Sequence, residues 1–229
     1  MNKNKYLPKN HWIKYNQELI FDEIAKIIPL NKIHKVIDVG CGKGDYLSYL
    51  SKTFKNAHCF GIDISKNAIS LAKELGNFPV ILADAQYLPI KDKSFDLVFE
   101  KDLLHHVNDH VKALKELARI SKRYVILIEA NRENFINAVA AKYGDVAFTE
   151  NQMKTMLKKA GFSAKFYHLN TYTISIESQK KNPVFLIPYY TLFILRIVVD
   201  RIPLLSKLLL SILPHIMRKP THNLFYIVS

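Results

Sequence analysis

Several residue types are scarce in this chain, and each scarcity excludes a class of protein. The 229 residues include two cysteines, Cys41 and Cys59, which are too few for a disulfide framework and predict a reducing, cytoplasmic compartment. The longest uncharged run has 14 residues, 182–195, whereas a membrane-spanning helix needs roughly 18 to 20. Residues 1–16 lack an apolar core, so we expect no secretory signal.

Acidic residues are also scarce, and their distribution is uneven. The chain has 33 Lys and Arg against 20 Asp and Glu, a net charge of +13. Residues 1–35 carry +4 and residues 180–229 carry +6, whereas the long middle part carries only +3. Basic ends of this kind suit either nucleic acid or an anionic membrane surface, so charge alone does not identify the partner.

What the chain does contain is a regular alternation of short apolar strands and helices of 10–15 residues. A helix is predicted over residues 11–28 and stops at Pro29. The later helices carry start signals, with Ser65 as an N-cap and Thr149 with Gln152 as a capping box. This alternation predicts an α/β protein with a doubly wound parallel sheet, whose ligand lies beyond the carboxyl ends of the strands.

Three of the seven glycines lie within five residues, in the stretch "KVIDVGCGKGDY" directly after the first strand. Such a loop lets a ligand approach the backbone and the start of the next helix. The dinucleotide fingerprint fails, because its third small position, counted from Gly40, falls on Asp45. Asp38 and Asp45 would also bring two carboxylates close to a pyrophosphate. A cationic ligand without phosphates fits these residues better.

Four stretches together resemble the motifs of the class I S-adenosylmethionine-dependent methyltransferases, closest to the small type that acts on metabolites and lipids (methyltransferase domain 11-like). They are "VIDVGCGKG", "GIDIS", "ADAQYLP" and "SFDLVFEKDLLHHV", and the match runs from about residue 35 to about residue 161. The resemblance implies a Rossmann-like sheet of seven strands with an antiparallel last strand. It also implies S-adenosylmethionine as cofactor and S-adenosylhomocysteine as product.

The resemblance also implies a role for each matching residue. The acid and glycines of the first motif would hold the methionine end of the cofactor, next to a cysteine in the wall; these are Asp38, Gly40, Cys41, Gly42 and Gly44. The remaining cofactor positions would be Asp63 at the ribose, Ile64 against the adenine, Asp84 and Ala85 at the adenine amine, and Glu100 and Lys101 nearest the sulfonium. Taken singly, Asp63 could instead cap a helix, and Asp84 could be a turn residue.

Candidates for the chemistry follow the fourth strand. His105 or His106 could act as a general base, or could only shape the pocket floor, and Glu100 could orient the acceptor. Glu129 and Arg132 could line the acceptor pocket or cap the next helix. The spacing of histidines and cysteines predicts no metal site.

The chain divides into four predicted parts. Residues 1–34 form an N-terminal helix that resembles a lid, with Trp12 and Tyr15, although core packing explains it equally well. Residues 35–178 form the S-adenosylmethionine-binding core, residues 179–221 an apolar helical insert, and residues 222–229 the last strand. The leucine-rich insert, flanked by basic residues, suits peripheral membrane contact, a pocket cover or a dimer interface through residues 183–217.

These features predict methyl transfer to a small, lipophilic acceptor by a cytoplasmic enzyme with peripheral membrane contact. Nucleic acid is less favoured as a partner, because the basic residues flank a leucine-rich block instead of alternating with aromatic residues on a polar face. Two alternatives remain open. One is an RNA or protein methyltransferase that docks through its basic ends, and the other is a protein that binds S-adenosylmethionine without catalysis.

Overall fold

The computed structural model describes residues 11–133, 147–169 and 222–228. Five helices are present in these ranges: α1 (His11–Ile27), α2 (Asp45–Thr53), α3 (Lys66–Leu75), α4 (His110–Ile120) and α5 (Glu150–Lys159). The strands are β1 (Lys35–Val39), β2 (His58–Asp63), β3 (Val80–Leu82), β4 (Phe95–Lys101), β5 (Ser121–Ala130), β6 (Ala164–Leu169) and β7 (His222–Val228). A short 3₁₀ turn, Leu104–His106, follows β4, and another, Leu30–Lys32, follows α1.

The strands form one sheet in the order β3-β2-β1-β4-β5-β7-β6. The first five strands are parallel, and β7 runs antiparallel to both β5 and β6. The predicted doubly wound α/β class, with its central parallel sheet, is therefore confirmed. Strand order reverses between β1 and β4, which places the switch point at the exits of these two strands. The apolar insert predicted at residues 179–221 lies outside the described residues.

Apolar side chains alternate between two faces of the sheet, and each face is covered by different helices. On one face Leu97 and Phe99 of β4 pack with residues of α1 and α2, among them Ile24 and Leu50. On the other face Val98 packs with residues of α4 and α5, among them Leu114 and Leu157. Successive side chains of a strand point to opposite faces of the sheet, and both faces are covered by helices here. Residues on both faces must therefore be apolar, which explains why these strands are nearly continuous apolar runs.

Local signals in the sequence set the helix starts. Ser65 caps α3 by accepting a hydrogen bond from the Ala68 amide at 3.3 Å. Thr149 and Gln152 form the predicted capping box at the start of α5. Both predictions are confirmed. Gly76, predicted as the stop of α3, does follow the helix, but its φ of −167° is extended backbone and not a left-handed cap.

One strand differs from the sequence prediction, and part of one helix follows an alternative that the sequence left open. The apolar run "FPVILADA" predicts a buried strand, whereas β3 spans only three residues, and Ile81 and Leu82 are exposed because β3 is the edge of the sheet. In α1, the side chains of Ile20, Phe21 and Ile24 are buried in the core, so this part of the helix is core packing and not a cover. Trp12 and Tyr15, which the sequence suggested as part of a lid, have side chains outside the part of the chain that the structure describes.

Candidate functional site

The loop after β1 owes its shape to its three glycines. Gly40, Gly42 and Gly44 have φ values of +80°, +53° and +90°, which side chains other than glycine rarely adopt. A Cβ at Gly42 would meet no atom within 4 Å, so the backbone there borders open space. A Cβ at Gly40 would lie 3.0 Å from Leu103, which brings the loop after β4 against the loop after β1. The glycines therefore allow a ligand to approach the main chain at the switch point.

Asp63, at the end of β2, is tied to this loop. Its Oδ2 accepts a hydrogen bond from the Gly42 amide at 2.8 Å, and its Oδ1 accepts one from the Ser65 amide at 2.8 Å. The contact with Ser65 supports a local role at the start of α3. The contact with Gly42, which is 21 residues away, in addition joins the end of β2 to the glycine loop. Each carboxylate oxygen keeps a further lone pair, so the side chain is oriented yet still able to accept hydrogen bonds from a ligand.

Asp38 lies on β1, two residues before the first glycine of the loop, and is 2 % exposed. Its Oδ2 is buried and has no hydrogen-bond partner within the described part of the chain. Burial raises the pKa of Asp38 well above its usual range, and the nearby carboxylates of Glu100 and Asp63 raise it further. A buried acceptor without a donor is costly, and a cationic or N–H-bearing ligand in the loop would supply the missing donor.

Cys41 is buried, with its thiol directed toward β2, because a Cβ added at Gly61 would lie 2.8 Å from its sulfur. Burial raises the pKa of this thiol, and the neighbouring Asp38 raises it further, so the thiol stays protonated. Cys41 thus packs in the wall behind the loop. It is no nucleophile in this arrangement.

The exit of β3 carries the residues predicted to meet an adenine ring. Asp84 accepts a hydrogen bond from the Gln86 amide at 2.8 Å, the geometry of a turn-forming aspartate, so its turn role is real. Ala85 is buried beneath it. Ile64, directly after Asp63, is 70 % exposed, which is high for a large apolar side chain and leaves its surface available for contact.

The exit of β4 is lined by charged residues that are largely buried. Glu100 is fully buried; its Oε1 accepts the Leu103 amide at 2.6 Å, whereas its Oε2 is without a hydrogen-bond partner among the described atoms. Lys101 forms an ion pair with Asp102, and its ammonium lies 5.5 Å from the centroid of the Tyr46 ring. Burial opposes the charge of Lys101, but Asp102 and Tyr46 raise its pKa and keep it protonated.

His105 and His106, in the 3₁₀ turn after β4, have different surroundings. Nδ1 of His105 lies 2.8 Å from Oε2 of Glu129, a residue at the end of β5 that is 1 % exposed. The two imidazole centroids are 4.1 Å apart. Burial lowers the pKa of His106, and His105 lowers it further, so His106 is neutral near pH 7. His105 is thus held by a buried carboxyl group, and His106 lies beside it as a neutral ring.

Glu129 is a functional candidate for which the sequence left two roles open, in the acceptor pocket or as a helix cap. Its Oε1 accepts the Leu104 amide at 2.6 Å in addition to the contact with His105, and it caps no helix among the described elements. The only sequence signal was its place directly after an apolar strand. Arg132, grouped with it in the sequence, has an exposed side chain and contributes its backbone amide to the carbonyl of Phe148 at 2.9 Å.

One group of metal-ligating side chains occurs in the described ranges, although sequence spacing predicted none. Ligand atoms of Asp102, His105 and Glu129 lie within 4.8 Å of one another. The same atoms take part in the contacts with Lys101, His105 and the Leu104 amide described above. The ammonium of Lys101 beside Asp102 repels a cation, and we therefore interpret the group as a hydrogen-bonded network.

With this geometry established, comparisons with known proteins bear on it directly. Residues 37–128, which span the glycine loop and the exits of β1 to β4, match the methyltransferase domain family Methyltransf_11. Residues 37–128 are a class I methyltransferase domain. The resemblance found in the sequence is confirmed, and enzymes of this class use S-adenosylmethionine.

Curated relatives of this domain include the demethylmenaquinone methyltransferases of Staphylococcus aureus. The protein of strain MRSA252 is 35% identical over 124 residues, which is 52% of this chain and 52% of the relative. The chain thus spans about half the length of the curated relatives it matches.

Solved structures with the same fold share less sequence. Magnesium protoporphyrin IX methyltransferase from Synechocystis PCC 6803, solved with bound S-adenosylhomocysteine, gives a TM-score of 0.61 at 18% identity and covers 100% of this chain and 90% of its own. The [4+2]-cyclase SpnF gives 0.64 at 16% identity, with coverage of 92% and 80%. These similarities establish the fold alone. The second shows that the fold also supports other chemistry.

In the described ranges, no helix combines the length and the apolarity needed to cross a bilayer.

Proposed function

We propose that this chain transfers the methyl group of S-adenosylmethionine to a small, lipophilic acceptor. The observation that carries the proposal is the set of three acids, Asp38, Asp63 and Glu100, at the exits of three adjacent parallel strands around a bare glycine loop. Their carboxyl oxygens can accept hydrogen bonds from the ammonium and hydroxyl groups of a ligand, and a fully ionised phosphate supplies no such donor. The methyltransferase domain at residues 37–128 agrees with that chemistry.

The residues present fit the cofactor. Asp38 has a buried oxygen without a donor, which an α-ammonium group could satisfy. Asp63 is fixed by two backbone amides and can accept from both hydroxyls of a ribose. Ile64 offers an exposed apolar surface to an adenine ring, with Asp84 and Ala85 at the next strand exit. Gly42 leaves the room that close approach requires.

When bound, S-adenosylmethionine supplies a methyl group on a positively charged sulfur, with the neutral sulfide as leaving group. The protein's part is to hold the acceptor in line and to keep water away, which can account for much of the acceleration. Glu100, Lys101 and the two histidines surround the β4 exit, where we place the reacting groups. Burial keeps Glu100 protonated, because it raises the pKa of this carboxyl well above its usual range.

Two observations support a lipophilic acceptor. The curated relatives at 35% identity are named for demethylmenaquinone, a lipophilic quinone. The segment 179–221 is leucine-rich and flanked by Lys180, Lys181, Arg218 and Lys219, a composition that suits a membrane surface or a cover over an apolar pocket. We therefore propose a quinol-type or similarly apolar acceptor, delivered by peripheral contact with a membrane.

The experiment that tests the acceptor class uses cofactor labelled in its methyl group. Purified protein is incubated with a cell extract divided into lipid, RNA and protein fractions, and separately with dithionite-reduced, short-chain demethylmenaquinone. We expect label in the lipid fraction. Label confined to RNA or protein would select the docking alternative. Binding of the cofactor without any labelled product would indicate a non-catalytic protein.

Membrane contact has its own test, because it rests on a different segment. Within this segment apolar residues recur at helical spacing, which predicts an apolar stripe; they are Leu204, Leu205, Leu208, Leu209, Ile212, Leu213 and Ile216. Replacing Leu205 and Leu209 with glutamate places charge on this stripe. We expect this variant to lose flotation with vesicles of anionic phospholipid, while the control Ser206→Glu, which adds charge beside the stripe, retains more of it. Equal flotation of all three proteins would contradict membrane contact through this segment.

A further inference from the structure

Glu129 has both carboxylate oxygens engaged with groups of the turn after β4. Oε1 accepts the backbone amide of Leu104 at 2.6 Å, and Oε2 lies 2.8 Å from Nδ1 of His105. Because the residue is 1 % exposed, water does not compete for these contacts. The partner at Oε1 is a backbone N–H and can only donate. Glu129 thus joins the end of β5 to a turn that lies 24 and 25 residues earlier in the chain.

This arrangement decides which nitrogen of His105 carries the proton. Once Glu129 is ionised, its Oε2 can only accept a hydrogen bond, so a neutral His105 ring in this contact carries its proton on Nδ1. Nε2, on the opposite side of the ring, then keeps its lone pair. A base oriented in this way, with a third group fixing its tautomer, is a general pattern of acid–base catalysis.

Glu100 supports the carboxylate from the neighbouring strand. It is fully buried on β4, and its Oε1 accepts the Leu103 amide. Burial, and after it the carboxyl of Glu129, raises the pKa of Glu100 well above its usual range. Burial also raises the pKa of Glu129, but Glu100 holds its proton to a higher pH than Glu129. Glu129 therefore ionises first, and above about pH 8 it faces His105 as a carboxylate.

We propose that Glu129 is a positioning residue that holds His105 with Nδ1 protonated, so that Nε2 removes the proton of an acceptor hydroxyl during methyl transfer. The acceptor class is thereby narrowed to a small molecule with an ionisable O–H group. In this step the O–H bond breaks and its proton moves to Nε2, from which water later takes it. An electron pair of the acceptor forms the bond to the methyl carbon as the C–S bond breaks, and the sulfur leaves as the neutral sulfide. Where the methyl group is bonded to a ring carbon of a quinol, the proton of that carbon passes to water. This inference rests on the proposed function.

The charged and titratable groups facing His105 set the pH behaviour to expect. They are Glu129 from β5, Asp102 from the segment between β4 and the turn, and His106 from the turn itself. Lys101 acts through its ion pair with Asp102, Glu100 acts on Glu129, and Asp63 from β2 acts on His106. Burial, and after it Asp102, raises the pKa of Glu129 to about 8. Turnover should therefore rise with pH through about 8, as Glu129 becomes the full carboxylate.

The decisive variant is Glu129→Gln, because the amide has one acceptor where the carboxylate has two. The backbone N–H of Leu104 can only donate, so the side-chain oxygen of the variant must stay on that side and its NH₂ group must face His105. Because the NH₂ group also donates, it cannot form a hydrogen bond with a protonated Nδ1. We expect the ring to change to the tautomer with the proton on Nε2, which cannot act as a base. The matched control is Asp109→Asn, the same chemical change at an exposed N-cap of α4, where asparagine caps equally well.

The first readout is independent of activity. Long-range ¹H–¹⁵N spectra of the histidine rings, recorded on the unliganded protein at pH 9, report the tautomer, and loss of a signal in His105→Gln assigns it. We expect the Nδ1-protonated form in the wild type and in Asp109→Asn, and the Nε2-protonated form in Glu129→Gln. An Nε2-protonated ring in the wild type would overturn the proposed positioning.

The second readout is kinetic, with labelled cofactor and reduced, short-chain demethylmenaquinone. We expect kcat to fall about 100-fold in Glu129→Gln with KM nearly unchanged, and the rise with pH through about 8 to disappear. A wild-type kcat in Glu129→Gln, or a 100-fold loss in His106→Gln instead, would refute His105 as the base while leaving methyl transfer intact. A strong loss of activity with EDTA, restored by Mg²⁺, would favour a metal at Asp102, His105 and Glu129 over the proposal.

The two proposals fail in distinguishable ways. If no acceptor is methylated but the tautomer changes as expected, the proposed function is wrong and the positioning of His105 stands as a structural fact without a catalytic role. If methylation proceeds but neither readout responds to Glu129→Gln, the inference is wrong and the proposed function remains.

Discussion

The two sides of the sheet edge are built on different principles. On the side of β1 to β3, most of the shape comes from short-range features: the positive φ values of the glycines, the cap at Ser65 and the contact of Asp63 with the Ser65 amide. One contact there, from the Gly42 amide to Asp63, spans 21 residues. On the side of β4 and β5, the site depends on contacts between residues far apart in sequence, such as His105 with Glu129. The first side is thus specified by motifs, and the second by the register of two paired strands.

Charge separates the two sides as well. The carboxylate of Asp63 is partly buried and accepts hydrogen bonds from backbone donors, whereas Glu100 and Glu129 are both buried, and burial raises the pKa of each. Burying two acids side by side opposes folding, and a structure retains such a pair where a function uses it. The difference indicates that one side provides a stable cradle for a ligand and the other provides reactive groups.

The largest effect on folding should come from the glycine loop. Gly40→Ala adds a Cβ at a φ of +80° and 3.0 Å from Leu103, so strain and overlap combine; we expect a loss of about 3 kcal/mol in the free energy of unfolding. Gly42→Ala has strain alone, because no atom lies within 4 Å of its Cβ, and should lose about 1 kcal/mol. Urea unfolding measures both values. Equal losses would mean that the contact between the two loops is unimportant.

The acidic side should make stability depend on pH. The pKa of Glu100 and that of Asp38 are raised in the folded state, so above about pH 5 the native protein holds protons that the unfolded chain has released. Unfolding therefore becomes more favourable as pH rises, by about 1.4 kcal/mol per pH unit for each such carboxyl. We expect Glu100→Gln to reduce the slope between pH 5.5 and 8 by about that amount in urea titrations. An unchanged slope would argue against a protonated Glu100.

The smallest predicted effect tests whether local contacts stabilise the β1 to β3 side of the sheet edge. Ser65→Ala removes the cap of α3 and should cost about 1 kcal/mol. The control on the same helix is Ser70→Ala, whose hydroxyl donates only to the Lys66 carbonyl within the helix, and it should change stability by less than about 0.5 kcal/mol. Thermal unfolding distinguishes the two, and a loss at Ser70 as large as that at Ser65 would contradict the assignment of the cap.

The same division explains what could be predicted from the sequence. The glycine loop, Ser65 and the capping box at Thr149 are local patterns, because the residues that interact lie within a few positions of one another. The role of Glu129 was not predictable, since it depends on β4 pairing with β5 so that Glu100 lies opposite Leu127 and Lys101 opposite Ile128. Periodicity could not show that β3 is a short edge strand either, because an apolar run looks the same at an edge and at the centre.

The most direct test of the account is a calorimetric titration of the protein with S-adenosylmethionine. We expect one binding site in the wild type and at least about 100-fold weaker binding in Asp63→Ala, because two charge-assisted hydrogen bonds are lost. Asp92→Ala, which removes an exposed partner of Arg119, should bind as tightly as the wild type. No binding by the folded wild type, or wild-type affinity in Asp63→Ala, would contradict the assignment of the cofactor site to these strand ends.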